Sequence, residues 1–192
     1  MFMRSNRPQS IQEASWWEER CVRRQGGYDL DMDNLPQDVR WLPKGTVYKF
    51  DASTGRAQVV KTCKVITEVA SGVTKLEVAP NHLLNVGDIL GYTLANTITI
   101  ASITHGTGKD TLTVSSPLDA IKANTVLTDL KATDVVLGFG YETLDVLYRD
   151  SNQTVTPTLR VEEVEEATLP YFINDEIKDA INKYGYARFR II

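Results

Sequence analysis

Apolar and polar residues alternate in several short runs between Thr74 and Thr128. Ile98 and Ile100 alternate with threonines, and Leu112 and Val114 repeat the arrangement further along the chain. Alternation of period two is typical of a strand with one buried and one solvated face. Glycines between the runs suit the tight reversals that join such strands. The pattern predicts a small antiparallel β-module.

The rest of the chain divides into zones on either side of this module. Residues 1–42 are polar and are interrupted by prolines and glycines, so we interpret them as an N-terminal arm. Within the arm, Ser10–Arg24 places apolar residues three or four positions apart, which predicts a short amphipathic helix. Residues 43–133 form the predicted β-module, since two further strand-like runs precede the alternating ones. Residues 134–192 form a β-rich C-terminal part, in which Gly138 and Gly140 are interpreted as bulges or close-approach residues.

The clearest helix signal lies in the C-terminal part, at residues 174–184. Asn174 suits the N-cap, an apolar face follows it, and Gly185 suits the position after the last turn. The run Thr156–Glu166 fits neither period well, but its threonines and valines favour a strand. The final residues, 186–192, alternate again and predict a strand that must pair. The expected fold is mainly β, with small antiparallel β-barrel or sandwich modules, an N-terminal arm and one short C-terminal helix.

Composition narrows the functional classes. The net charge of −4 argues against a nucleic-acid-binding surface, which is usually strongly basic. No apolar run approaches the roughly 20 residues that a membrane span needs, so we expect no membrane association and assembly in the cytoplasm. The two cysteines, Cys21 and Cys63, are too few and too far apart for a disulfide framework or a zinc site, so reduced thiols are favoured.

Candidate catalytic chemistry is sparse in the sequence. The two histidines, His82 and His105, fall in predicted turns, where a catalytic base would lack a shielded pocket. The acidic run Glu162–Glu166 is more typical of a solvated edge strand than of a paired-carboxylate site. We therefore predict no catalytic residue, no metal site and no cofactor, and we expect that the protein is not an enzyme. A hydrolase is the least favoured alternative.

Arginines and tryptophans cluster near the N-terminus. Both residue types are enriched at the energetic centres of protein–protein interfaces. Glutamates interleave with them and would weaken attraction to phosphate, which favours protein docking over nucleic acid. An ordinary folded segment that packs on its own domain is as good an interpretation as docking. The candidate docking residues are Trp16, Trp17, Arg20, Arg23 and Arg24.

The sequence of the module resembles a known family. The segments LEVAPNHLLNVGDILG, TITIASIT and DTLTVSSPLDAIKANTVL follow one another in the order found in small barrels of tailed-bacteriophage structural proteins. The flanking segments LPKGT at 42–46 and LPY at 169–171 extend the likeness to phage head fibre and capsid decoration proteins. The resemblance covers the chain from about Trp41 onward.

This resemblance implies a non-enzymatic virion component fixed to the outside of an icosahedral head. It implies a homotrimer and the major capsid protein as partner, with the N-terminal arm as our candidate for the capsid contact. A second hypothesis is a carbohydrate-binding or adhesin-like β-module that recognises a host-surface glycan. Such sites use aromatic platforms, for which Tyr92, Tyr141 and Tyr148 are the candidates.

Overall fold

A computed structural model describes residues 12–93, 96–147 and 152–190, without the side chains of residues 92, 93 and 96. The fold is mainly β, as predicted, and its strands form sandwich-like sheets. No closed barrel occurs among the described residues. Within those same ranges, no helix is long and apolar enough to cross a membrane.

The described residues contain sixteen strands, one α-helix and three short 3₁₀ turns, at Glu18–Arg20, Met32–Asn34 and Glu166–Thr168. The first eight strands are β1 Val22–Arg23, β2 Tyr28–Asp29, β3 Trp41–Leu42, β4 Val47–Asp51, β5 Arg56–Val59, β6 Thr62–Lys64, β7 Lys75–Val78 and β8 Ile89–Thr93. The others are β9 Asn96–His105, β10 Asp110–Val114, β11 Val126–Thr128, β12 Val135–Phe139, β13 Leu144–Asp145, β14 Thr154–Val155, β15 Thr158–Glu165 and β16 Tyr186–Arg190. The helix, α1, spans Asp175–Tyr184.

The chain forms two compact units, and one interrupts the other in sequence. The second unit consists of Lys61–Thr133 with Tyr171–Asn174. The first unit contains the remaining segments, Met1–Val60, Asp134–Pro170 and Asp175–Ile192. Residues 43–60, which the sequence pattern groups with the β-module, therefore belong to the first unit.

The second unit is built on a six-stranded sheet in the order β6-β11-β8-β9-β10-β7. Strand β9 pairs with β8 through its first residues and with β10 through its last, so one long strand serves two ladders. The predicted alternation is confirmed in β10, where Leu112 and Val114 are buried between half-buried threonines. These apolar residues share one core with Leu90, Ile98 and Ile100.

The first unit contains two three-stranded sheets and two short strand pairs. The larger sheets have the orders β12-β4-β5 and β1-β15-β16. Strand β15 lies centrally in the second of these, antiparallel to β1 and parallel to β16. Helix α1 buries Ile177 and Ile181, and its ends agree with the predicted helix within one residue. The predicted strands over Thr156–Glu166 and at the C-terminus are confirmed as β15 and β16.

The predicted amphipathic helix over residues 10–24 is wrong for the described part. Ala14 and Trp16 are buried while Ser15 and Trp17 are exposed, which is the period of an extended chain. The backbone bonds confirm this, because Trp17 N–H donates to Glu162 O and Glu165 N–H donates to Ser15 O. A single 3₁₀ turn, Glu18–Arg20, is the only helical piece between residues 12 and 24. Tertiary pairing overrides the weak helical periodicity here.

Two glycines hold strands in close approach. Gly138 has a φ of +118° at a register shift in β12, and a β-carbon there would overlap the carbonyl oxygen of Thr158. This confirms the interpretation of Gly138 as a bulge or close-approach residue. At Gly185 a β-carbon would lie 2.7 Å from Leu159 O. Gly185 is not among the left-handed glycines, so close packing rather than a left-handed helix end explains it.

Candidate functional site

Trp16 and Trp17 point to opposite sides of the extended segment that carries them. Trp16 is 7% exposed and packs on Phe139, with 6.2 Å between the ring centroids. The ammonium of Lys44 lies 4.3 Å from the centre of the Trp16 ring. Trp17 is 42% exposed. Of this pair, only Trp17 has a ring that is exposed to solvent.

The guanidinium of Arg24 is hydrogen-bonded to backbone carbonyls within the first unit. Its Nε donates to Leu137 O at 2.6 Å, and its Nη2 donates to Tyr184 O. These bonds tie the segment after β1 to β12 and to the end of α1. Arg24 therefore acts as an internal brace, which agrees with the interpretation of a segment that packs on its own domain.

Trp17 and Arg20, which precede β1, form a row with side chains of β15 and β16. The guanidinium of Arg20 lies 4.2 Å from the Trp17 ring centre, and its Nη1 lies 3.1 Å from Glu162 Oε2. From the other side, Arg160 Nε donates to Glu162 Oε1 at 3.1 Å, and its guanidinium lies 5.5 Å from the Tyr186 ring. We call this set the arginine–aromatic row: Trp17, Arg20, Glu162, Arg160 and Tyr186.

Glu162 is the fixed centre of the row. Its side chain is 8% exposed, whereas those of Arg20 and Arg160 are 54% and 53% exposed. The hydrogen bond from Arg160 lowers the pKa of Glu162, with a further lowering from Arg20, and these outweigh the opposing effect of desolvation. The carboxylate thereby holds both guanidinium groups in place, and each is also stacked on an aromatic ring. The row presents aromatic and cationic surface in a preorganised form.

Arg23 makes a separate set of contacts with Tyr141 and Glu142. Its guanidinium lies 4.4 Å from the ring centre of Tyr141, and its Nη1 lies 3.9 Å from Glu142 Oε1. The contact occupies one face of Tyr141. Of the other candidates for a sugar-binding platform, Tyr148 lies outside the described residues, and the side chain of Tyr92 is not described either.

A different cluster brings the two histidines together in the second unit. Nε2 of His82 and Nδ1 of His105 lie 3.1 and 2.9 Å from the same oxygen, Oδ2 of Asp110. Oδ1 of Asp110 accepts a bond from Gly106 N–H at 3.2 Å. The sequence predicts separate turns for the two histidines and carries no sign of this contact, because the residues are far apart in the chain.

The cluster also has a contact with the backbone. Leu84 N–H donates to Nδ1 of His82 at 3.4 Å, while Nε2 of the same ring is the nitrogen that lies beside the carboxylate. Asp110 and His82 are 1% and 0% exposed, while His105 is 48% exposed. The carboxylate closes the β9–β10 hairpin and anchors the segment that contains His82. Over the described ranges, no three His, Cys, Asp or Glu residues are placed to hold a metal ion.

Comparisons with known proteins identify no relative: no family model, curated protein or solved structure matches this chain.

Proposed function

We propose that this chain is a non-enzymatic structural protein of a tailed-bacteriophage virion. It is a head fibre or decoration protein on the outside of the capsid, it binds the major capsid protein, and it assembles as a homotrimer. The family is suggested by the resemblance of its β-module and of the LPKGT and LPY segments. The observation that carries the docking role is the arginine–aromatic row.

The composition of the row supports a protein interface. Trp, Tyr and Arg are the residues that most often dominate binding energy, and here Trp17 and Tyr186 are 42% and 46% exposed. Because Glu162 and the rings already hold the arginines, binding would cost less side-chain entropy than for free arginines. The docking surface comprises Trp17, Arg20 and Arg23 of the sequence-predicted set, with Arg160 and Tyr186 added. Trp16 and Arg24 support it from within.

Co-sedimentation with capsids tests this proposal. The full chain is mixed with empty shells of the major capsid protein encoded in the same genome, and binding is compared between variants. We expect W17A and R20A each to weaken binding at least about tenfold, the usual effect of a hot-spot truncation. The matched control is R40A, which removes an arginine whose guanidinium lies 4.8 Å from the Trp41 ring, outside the row.

Three results would count against the proposal. Unchanged binding of W17A and R20A would remove the row as the docking surface. Absence of any binding by the unmodified chain would remove the capsid as its partner. A single monomeric species in light scattering at micromolar concentration would contradict the proposed homotrimer. Glycan binding stays the second hypothesis from the sequence; of its candidate platforms only the side chain of Tyr141 is described, and Arg23 covers one face of that ring.

A further inference from the structure

The arginine–aromatic row carries a positive charge that its own residues do not cancel. Arg20 and Arg160 each contribute a positive charge, whereas Glu162 contributes a single negative charge, so the row keeps a net charge of +1. Glu19 and Glu163 are sequence neighbours of the row, and neither makes an ion pair within the described ranges. Both guanidinium groups are more than half exposed, so the surplus charge faces solvent.

The two guanidinium groups also keep free hydrogen-bond donors. A guanidinium has several N–H donors and no acceptor. Arg20 donates through Nη1 and Arg160 through Nε and Nη2, and all of these bonds go to Glu162. Neither arginine has another acceptor among the described residues. The aromatic rings lie against the faces of the guanidinium groups, which leaves N–H donors at their edges accessible.

Docking of the row on a protein would remove this charge from water. A guanidinium that is buried against a neutral surface loses its hydration and gains no compensating partner, which is strongly unfavourable. A carboxylate on the partner supplies what the row lacks. It carries one negative charge, and its oxygens accept hydrogen bonds in the geometry that a guanidinium offers.

Glu162 prepares the two arginines for such a ligand. It binds Arg20 through Oε2 and Arg160 through Oε1, so one buried carboxylate holds a guanidinium on each of its oxygens. Arginines that are already held lose less side-chain entropy when a ligand binds. A phosphate group fits less well, because its second negative charge exceeds the surplus of the row and is repelled by Glu162.

We propose that the arginine–aromatic row binds the carboxylate of an aspartate or glutamate side chain of the major capsid protein. The free N–H groups of Arg20 and Arg160 donate to this carboxylate, and the rings of Trp17 and Tyr186 lie on either side of it. The identity of the partner rests on the proposed function. The preference for a carboxylate rests on the charges and donors of the row itself.

Peptide titration followed by NMR tests this preference without capsids. The full chain, labelled with ¹⁵N, is titrated at constant ionic strength with acetyl-Gly-Glu-Gly-amide while the Trp17 indole N–H and Arg160 Nε–H signals are observed. We expect both signals to shift with a Kd on the order of 10 mM, as for a single small contact. The glutamine peptide has the same shape and no charge, so it should bind at least about fivefold more weakly. Inorganic phosphate should bind no more tightly than the glutamate peptide.

Three variants separate charge from damage to the fold. R20Q cancels the surplus charge but leaves Arg160 to pair with Glu162, and it should weaken the glutamate peptide at least about fivefold. R20K keeps the charge and should stay within about threefold of the unmodified chain. R40Q removes an arginine outside the row, whose side chain is 52% exposed, and should have no effect. The preference is overturned by an absence of shifts, by equal responses to the glutamate and glutamine peptides, by tighter binding of phosphate, or by unchanged affinity in R20Q.

An acidic side chain of the same chain is the competing occupant, because Asp150 lies in the sequence between the described ranges that end at residue 147 and begin at residue 152. If D150N strengthens binding of the glutamate peptide about tenfold or more, this chain fills the row and the capsid protein does not. A preference for the glutamate peptide without capsid co-sedimentation would reject the proposed function alone. Co-sedimentation without that preference would reject the carboxylate ligand alone.

Discussion

The Asp110 carboxylate lies 3.1 Å from Nε2 of His82, and both side chains are buried in the second unit. The same carboxylate also binds His105 and the N–H of Gly106. One side chain therefore connects the tip of the β9–β10 hairpin with the segment before β8. Its removal should affect stability more than any exposed substitution in this unit.

We expect D110A to lower the free energy of unfolding of the second unit by about 2–4 kcal/mol, because Gly106 N–H loses its acceptor and the two histidines lose the carboxylate that they share. Urea unfolding followed by hydrogen exchange of β9 and β10 amides measures the change. The control is E68A, whose side chain is exposed in the same unit and should alter stability by less than about 0.5 kcal/mol. Equal effects of D110A and E68A would contradict a structural role for the cluster.

A second prediction concerns the backbone contact between β12 and β15. We expect G138A to destabilise the first unit by more than about 3 kcal/mol, since a β-carbon overlaps Thr158 O and φ is +118°. Gly26 has a φ of +97° but open space around its β-carbon position. G26A should therefore cost only about 1 kcal/mol of backbone strain. Chemical unfolding measures the free energy of unfolding of both variants, and the difference between them reports the cost of the overlap with Thr158 O. Similar decreases in stability for G138A and G26A would show that packing at Gly138 is unimportant.

The two free thiols should differ in reactivity. Burial, with a smaller contribution from Glu18, raises the pKa of Cys21 to about 11, and burial raises that of Cys63 further. At pH 8 roughly one Cys21 in a thousand is a thiolate, so its reaction with a disulfide reagent should be slow. Cys63 should react only on unfolding.

Single variants assign these reactions. In C21S the slow native-state reaction should disappear, and in E18Q it should become faster, because the charge that raises the pKa of Cys21 is removed. The reaction is followed by the absorbance of Ellman's reagent at about pH 8. Rapid modification of Cys63 in the native protein would contradict its burial.

The pH dependence of stability should report on Glu162. Its folded pKa is lowered, so its contribution is present above its ordinary pKa and is lost as the pH falls through the folded value. The unmodified chain should thus lose more stability below about pH 4.5 than E162Q does. Since Arg160 has the largest effect on the pKa of Glu162, R160M should flatten the profile more than R20M. Urea unfolding between about pH 3 and 7 distinguishes these profiles, and parallel curves for all variants would refute the prediction.

The local pattern of apolar and polar residues correctly predicts an element when its buried residues recur with the period of a strand or with that of a helix. β10 and α1 fall where alternation or a helical face is clear, and Gly138 could be identified because a glycine inside a strand usually marks a bulge or a close approach of two backbones. The helix predicted around Trp16 is wrong, because two adjacent tryptophans fit either period until their pairing partner is known. That partner, β15, follows almost 150 residues later.

The candidate site was predictable only in part for the same reason. Composition predicts Trp17, Arg20 and Arg23 together with Trp16 and Arg24, which are turned inward. Arg160 and Tyr186 come close to the exposed members only through the pairing of strands in the sheet β1-β15-β16. The meeting of His82 and His105 on Asp110 depends equally on tertiary structure. Contacts of this kind leave no pattern in the local sequence from which they could be predicted.

The interruption of the first unit by the second affects the order in which the chain can fold during synthesis. Most of the second unit, Lys61–Thr133, is continuous and can pair its six strands as soon as it leaves the ribosome. Within the first 60 residues β4 and β5 can pair with each other, but the strands that pair with β1, β2 and β3 emerge only after residue 134. Until β12 and β15 arrive, Trp16 has neither Phe139 to pack on nor a strand to pair with. The side chain of Trp16 therefore acquires its native contacts later in synthesis than the core of the second unit does.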